Sequence, residues 1–189
     1  MIINISGTIE IDTKLAFTDN IMNFLNAQMD RLGIPEERRD AFTENMFDFS
    51  RQVRNIESDD NPRAAAKTSS AKGVYQFTDD SVDTGRNRMR TLGYNERPDW
   101  NPFTEEFIRS IKDNPQEWSD EQADAMFLAN MFSQTGSDRF MKGIGAGSLQ
   151  DRKDAYYKFH HTNPDDATRS RVDDIMLIDE VLDDKTRFF

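Results

Sequence analysis

Apolar residues recur at three- and four-residue steps through most of this chain. Ile21, Phe24, Leu25, Met29 and Leu32 follow that rhythm, which predicts a helix from about Asp19 that Gly33 closes. Pro35 suits the first position of a second helix. There Phe42, Met46, Phe49, Val53 and Ile56 step by four, three, four and three, one unbroken apolar stripe. The stripe stops at Glu57 and Ser58, because Asp59, Asp60, Asn61 and Pro62 do not readily continue a helix.

The pattern then changes. Residues 63–77 read as a loop, with a short β element at Gly73, Val74, Tyr75, Gln76 and Phe77. Helices are predicted from Thr78 or Asp80 to about Leu92, then over 103–113, 119–134 and 150–161, and from about Pro164 to Leu182. Ser119 and Gln122 have capping-box spacing. Gly143, Gly145 and Gly147 lack the spacing of a phosphate-binding loop and read as a turn between helices. The first residues, Ile2, Ile3, Ile5, Ile9 and Ile11, are β-branched, and their edge is suited to pairing with another chain. The fold class expected is α+β: a β-rich arm over 1–16, then a mainly helical domain over 17–189 with a small β element after the second helix.

Composition narrows the function. The 189 residues carry 24 Lys+Arg against 35 Asp+Glu, a formal charge of −11, which argues against broad binding to nucleic acid or anionic lipid. No apolar run approaches a membrane span. No charged n-region with a following apolar h-region opens the chain, so no Sec leader is expected. Without Cys, and with only the adjacent His160 and His161, a metal site is not expected, since neighbours on an α-helix diverge by about 100°. No cofactor is implied. Arg86, Arg88 and Arg90 form a local basic strip, read as a solvated helix face.

The chemistry concentrates at Glu57. A carboxyl backed by an apolar helix face is partly desolvated, and the negative end of the helix dipole adds to the effect; both favour the proton-donating form. A carboxylic acid in such surroundings can protonate a glycosidic oxygen near neutral pH. Taken alone, a helix-ending glutamate is most simply a solvated one. The neighbouring residues add to the picture.

Glu57, Ser58, Asn61, Pro62 and Ala64, followed by Ser70, Ala71, Gly73, Tyr75, Gln76 and Phe77, form the pattern E-S-x-x-N-P-x-A, loop, small-x-G-x-x-Q-F. This resembles the lysozyme-like lytic transglycosylase family and its phage relatives. The resemblance implies that Glu57 is the catalytic acid/base and that Ser58 supports its placement. It puts Gly73, Tyr75 and Gln76 on a β element lining the glycan cleft, Gly73 where the sugar passes close to the backbone. A second segment, Tyr157 to Ala167, looks like the Y-x-x-H-x-x-G-P-x-x-A segment of some phage members, which brings Tyr157 and His160 to the opposite wall. Asn163 and Asp165 stand where glycines are usual, and Lys72 where a small residue is common. A second carboxylate is open among Asp59, Asp60, Asp79, Asp80 and Asp83, for each of which turn former or helix cap is the simpler role.

The expected function is therefore cleavage of the β-1,4 bond between N-acetylmuramic acid and N-acetylglucosamine in peptidoglycan. The resemblance places such an enzyme in a phage virion, acting on glycan strands of the host periplasm during genome entry. The β-rich arm would contact other virion proteins. The alternatives are a virion component of lysozyme-like fold with little activity, and a holin-released endolysin.

Overall fold

A computed structural model describes residues 17–67, 69–94, 103–162 and 164–186, with residues 93–94 and 177–186 described as backbone only. Eight helices are ordered along the described chain: α1 (Asp19–Leu32), α2 (Arg39–Ser58), α3 (Asp79–Tyr94), α4 (Glu105–Ser110), α5 (Asp120–Phe132), α6 (Ser137–Gly145), α7 (Leu149–Ala155) and α8 (Asp166–Thr186). A π-turn, Tyr156–His160, continues α7. The predicted β-rich arm over 1–16 lies outside the described residues.

α2 and α5 form the middle of the domain. All five residues of the α2 stripe are buried, Phe42, Met46, Phe49, Val53 and Ile56, and each burial is worth about 1.5–3 kcal/mol. α5 is buried on nearly every face through Ala123, Ala125, Met126, Phe127, Leu128, Ala129, Met131 and Phe132. Ser119 and Gln122 close its N-terminus in the predicted reciprocal cap. α1 and α3 pack on α5, while α6 and α8 pack on α2. Gly33 closes α1 in the left-handed conformation, as its position predicts.

Two expectations are corrected here. The domain is predominantly helical, but the small β element does not form among the described residues. Among the described residues of 64–77, strand-like pairing is limited to isolated antiparallel bridges, Ala65 to Lys72 and Lys72 to Phe77. Gly73 at φ 76° and Gln76 at φ 50° both take left-handed backbone, so the segment folds back where a strand would extend. The turn expected across Gly143 and Gly145 is instead the end of α6. Any Cβ on Gly145 would collide with the Phe42 ring, so this glycine serves close packing of α6 on α2.

Two residues of the arginine strip carry ion pairs on the partly exposed face of α3. Arg86 bonds Asp83 and Asp113 and the Ile111 carbonyl, and Arg90 grips Glu105 through two nitrogens at 3.0 and 3.2 Å. These contacts lash the α4 region to α3. Among the described residues, no helix is long and apolar enough to cross a membrane.

Candidate functional site

The apolar stripe sets the exit of α2. Because Val53 and Ile56 are locked into the core, Glu57 follows at the edge of the buried face, with its side chain only 10 % exposed. The helix then ends on two left-handed aspartates, Asp59 at φ 55° and Asp60 at φ 57°. Their amides return to the carbonyls of Asn55 and Arg54 at 3.1 and 3.3 Å, which satisfies the helix end without a glycine. Ser58 pins this exit to the following loop. Its hydroxyl donates to the carbonyls of Val74 at 2.9 Å and Arg54 at 3.1 Å and accepts from the Asn61 amide at 3.2 Å.

Three side chains from the π-turn and the residue after it, about a hundred positions on, meet the Glu57 carboxyl. The Tyr156 hydroxyl donates to Oε1 at 2.7 Å. His161 Nδ1 lies 3.4 Å from the same oxygen and His160 Nε2 3.5 Å from it. Tyr156 and His161 also touch each other, hydroxyl to Nδ1, at 3.2 Å. The π-turn is what makes this possible. Its widened spacing, with the His161 amide bonded to the Tyr156 carbonyl at 2.9 Å, brings residues five apart onto one side. His161 has already left the helical conformation, so the divergence expected for adjacent histidines on an α-helix does not apply.

Burial sets the electrostatics. Desolvation, aided by the Glu57 carboxyl, pushes the Tyr156 hydroxyl well above the ordinary phenol range, so it remains a donor. Burial lowers the His160 imidazole below its usual value, which the Glu57 carboxyl and a hydrogen bond to the Tyr75 backbone oppose without reversing. His160 is thus neutral at pH 7, enclosed by the rings of Tyr75, Phe77, Phe127 and Tyr156 at centroid distances of 5.6–6.4 Å.

The predicted site residues divide. Glu57 and His160 come together, and Ser58 fixes the helix end that carries Glu57. Tyr157 does not take the place expected of it: its ring packs edge-on against Tyr156 and under Arg169, and its predecessor supplies the hydroxyl. Gly73 is buried against Pro115, whose carbonyl oxygen would lie 2.9 Å from an added Cβ, so the close neighbour of its backbone is protein and not an open cleft. Tyr75 is 1 % exposed, a core residue stacked on Phe127 at 4.4 Å. Gln76 turns back on its own loop and donates to the Gly73 carbonyl at 2.8 Å.

Of the five aspartates considered as a second carboxylate, four have structural partners: Asp59 pairs with Arg171, Asp60 with Arg54, Asp79 with Lys72 and Asp83 with Arg86. Asp80 is exposed in the first turn of α3, and none of the five is among the groups that contact Glu57.

Sequence reasoning missed Tyr156, His161 and a second buried polar group. In the latter, the Tyr75 hydroxyl donates to Asp124 at 2.6 Å and contacts Ser50, while Arg54 reaches Asp124 at 3.4 Å, Asp120 at 2.7 Å and Asp60 at 2.6 Å. Burial raises the Asp124 carboxyl, and the Tyr75 and Arg54 contacts work against that rise. This network fixes the Tyr75 ring, against which His160 packs edge-on at 6.4 Å. Among the described residues, no group of three His, Cys, Asp or Glu side chains is placed to hold a metal ion.

Comparison with protein-family models, with curated proteins and with solved structures gives no match to this chain.

Proposed function

We propose that this chain is a peptidoglycan-cleaving enzyme of the lysozyme-like kind, with Glu57 as general acid and then general base at the N-acetylmuramic acid–N-acetylglucosamine bond. One observation carries the reading: the Glu57 carboxyl is nearly buried at the end of an apolar helix, yet is held by the Tyr156 hydroxyl and two histidine rings instead of by Lys or Arg. A structural glutamate in such a place is ordinarily paired with Lys or Arg; here its neighbours are able to accept or donate protons. The Glu57 proton would go to the leaving glycosidic oxygen as positive charge builds at the anomeric carbon. The emptied carboxylate then takes a proton from water, or from the muramyl 6-hydroxyl to give an anhydro product. The motif resemblance supports delivery in a phage virion to the host periplasm, with the β-rich arm contacting other virion proteins.

A second reading has a specific observation in its favour. Gly73 and Tyr75, which match cleft positions in the resemblance, are packed inside the protein. That suits a virion component of lysozyme-like fold with little activity. Digestion of purified murein by the full chain, with soluble fragments weighed by mass spectrometry, separates the two. Release of disaccharide-peptides supports the enzyme, and their mass tells hydrolysis from anhydro formation. An undigested sacculus at high enzyme concentration supports the structural role.

A further inference from the structure

We infer that His161 is the proton port of Glu57: the two side chains, bridged by Tyr156, share one proton, and covering the site with glycan drives that proton onto the carboxyl. The inference rests on the reading of Glu57 as the acid, and adds a positioning residue to it. Of the groups around Glu57 Oε1, Tyr156 is fully buried and the His160 side chain is 8 % exposed, whereas His161 is 36 % exposed. His161 is therefore the member of the cluster that exchanges protons with water while its Nδ1 faces the carboxyl at 3.4 Å.

The proton balance is simple. With the shared proton on His161, Nδ1 donates toward the Glu57 carboxylate, a pair that water stabilises in the open site. When glycan covers the carboxyl, water leaves and the ion pair loses its solvation. Transfer of one proton from Nδ1 to Oε1 converts imidazolium and carboxylate into neutral imidazole and carboxylic acid, the form with the lower desolvation cost. His161 then accepts at Nδ1, which leaves the Tyr156 hydroxyl free to hold the other face of the arrangement. Tyr156 touches both partners, at 2.7 and 3.2 Å, and keeps them in register.

The charged groups that face this pair come from each neighbouring element. α2 supplies Glu57 itself, and the π-turn supplies Tyr156 and the neutral His160. Asp165, just before α8, feels the His161 charge, and Arg171 of α8 acts on Tyr156. Two groups that share a proton titrate as a unit, each reporting the other's transition.

The test needs no activity. In the full chain labelled with carbon-13, the Glu57 carboxyl signal and the His161 ring signals are followed from pH 4 to 9. The expected result is an inflection of the Glu57 signal at the pH where His161 titrates, lost in His161→Gln. A Glu57 signal that passes the His161 transition without inflection, or that keeps the inflection in His161→Gln, overturns the inference. On murein, His161→Gln should cleave about tenfold more slowly at neutral pH, with its alkaline limb moved to lower pH, because the last proton of a pair is shared between two sites and that of a single group is not. An unmoved limb also overturns it. Cleavage that survives Glu57→Gln would instead remove Glu57 as the acid, and the carbon-13 titration would still decide whether the proton is shared.

Discussion

The Tyr156 hydroxyl reaches the Glu57 carboxyl at 2.7 Å although 99 positions separate them in the chain. That single bond ties the exit of α2 to the π-turn after α7 and fixes which carboxyl oxygen is engaged. Tyr156→Phe keeps the buried ring and removes only the donor. The expected cost is about 1–2 kcal/mol of stability, with murein cleavage reduced roughly tenfold by the freed carboxyl. Urea unfolding and initial rates check the two separately. Full activity in Tyr156→Phe would show that the bond is structural only.

His160 predicts a pH dependence of stability. Its folded pKa lies below the ordinary value of 6.5, because burial penalises the charged ring. Below that pH the unfolded chain binds a proton that the folded chain refuses, so the unfolded state is favoured increasingly as pH falls. The contribution is fully retained above pH 6.5 and declines below it. His160→Phe fits the same aromatic enclosure and has no titration. Melting temperatures from pH 7 to 5 should fall less steeply in the variant than in the wild type; parallel slopes would contradict the assignment.

Gly145 offers a test of packing away from the site. A methyl group there meets the Phe42 ring, and both lie between α2 and α6 with little room to yield. Gly145→Ala should destabilise the domain by about 1–3 kcal/mol, read from its urea midpoint. A gain in stability, as expected of Gly→Ala on an open helix, would mean that the two helices are not so close.

These residues also show what was legible from sequence. The α2 stripe was readable because Phe42 to Ile56 repeat at helical spacing and every one is buried. Glu57 and Ser58 were readable because they end that stripe and head a recognisable motif. α6 was not, since Gly143 and Gly145 look like a turn, and only the position of Phe42 reveals that glycine is needed inside a helix. The hydroxyl partner fell one residue from where the motif placed it, on Tyr156 and not Tyr157. A π-turn adds one residue to a turn without leaving a mark in the hydrophobic pattern, and the same widening brings His161 onto Glu57. The β element failed for a backbone reason, the left-handed Gly73 and Gln76, which side-chain patterning does not encode.

The central claim is that Glu57 transfers the proton that breaks the glycan. Glu57→Gln preserves shape and an acceptor for Tyr156 while removing that proton. Digestion of murein by wild type and variant at equal concentration, quantified by mass spectrometry of released fragments, is the most direct measurement. General acid–base transfer supplies about 10²–10⁴-fold, so a folded variant should release less than about one hundredth of the wild-type product. Release of more than about one tenth, with an unchanged melting temperature, would contradict the account.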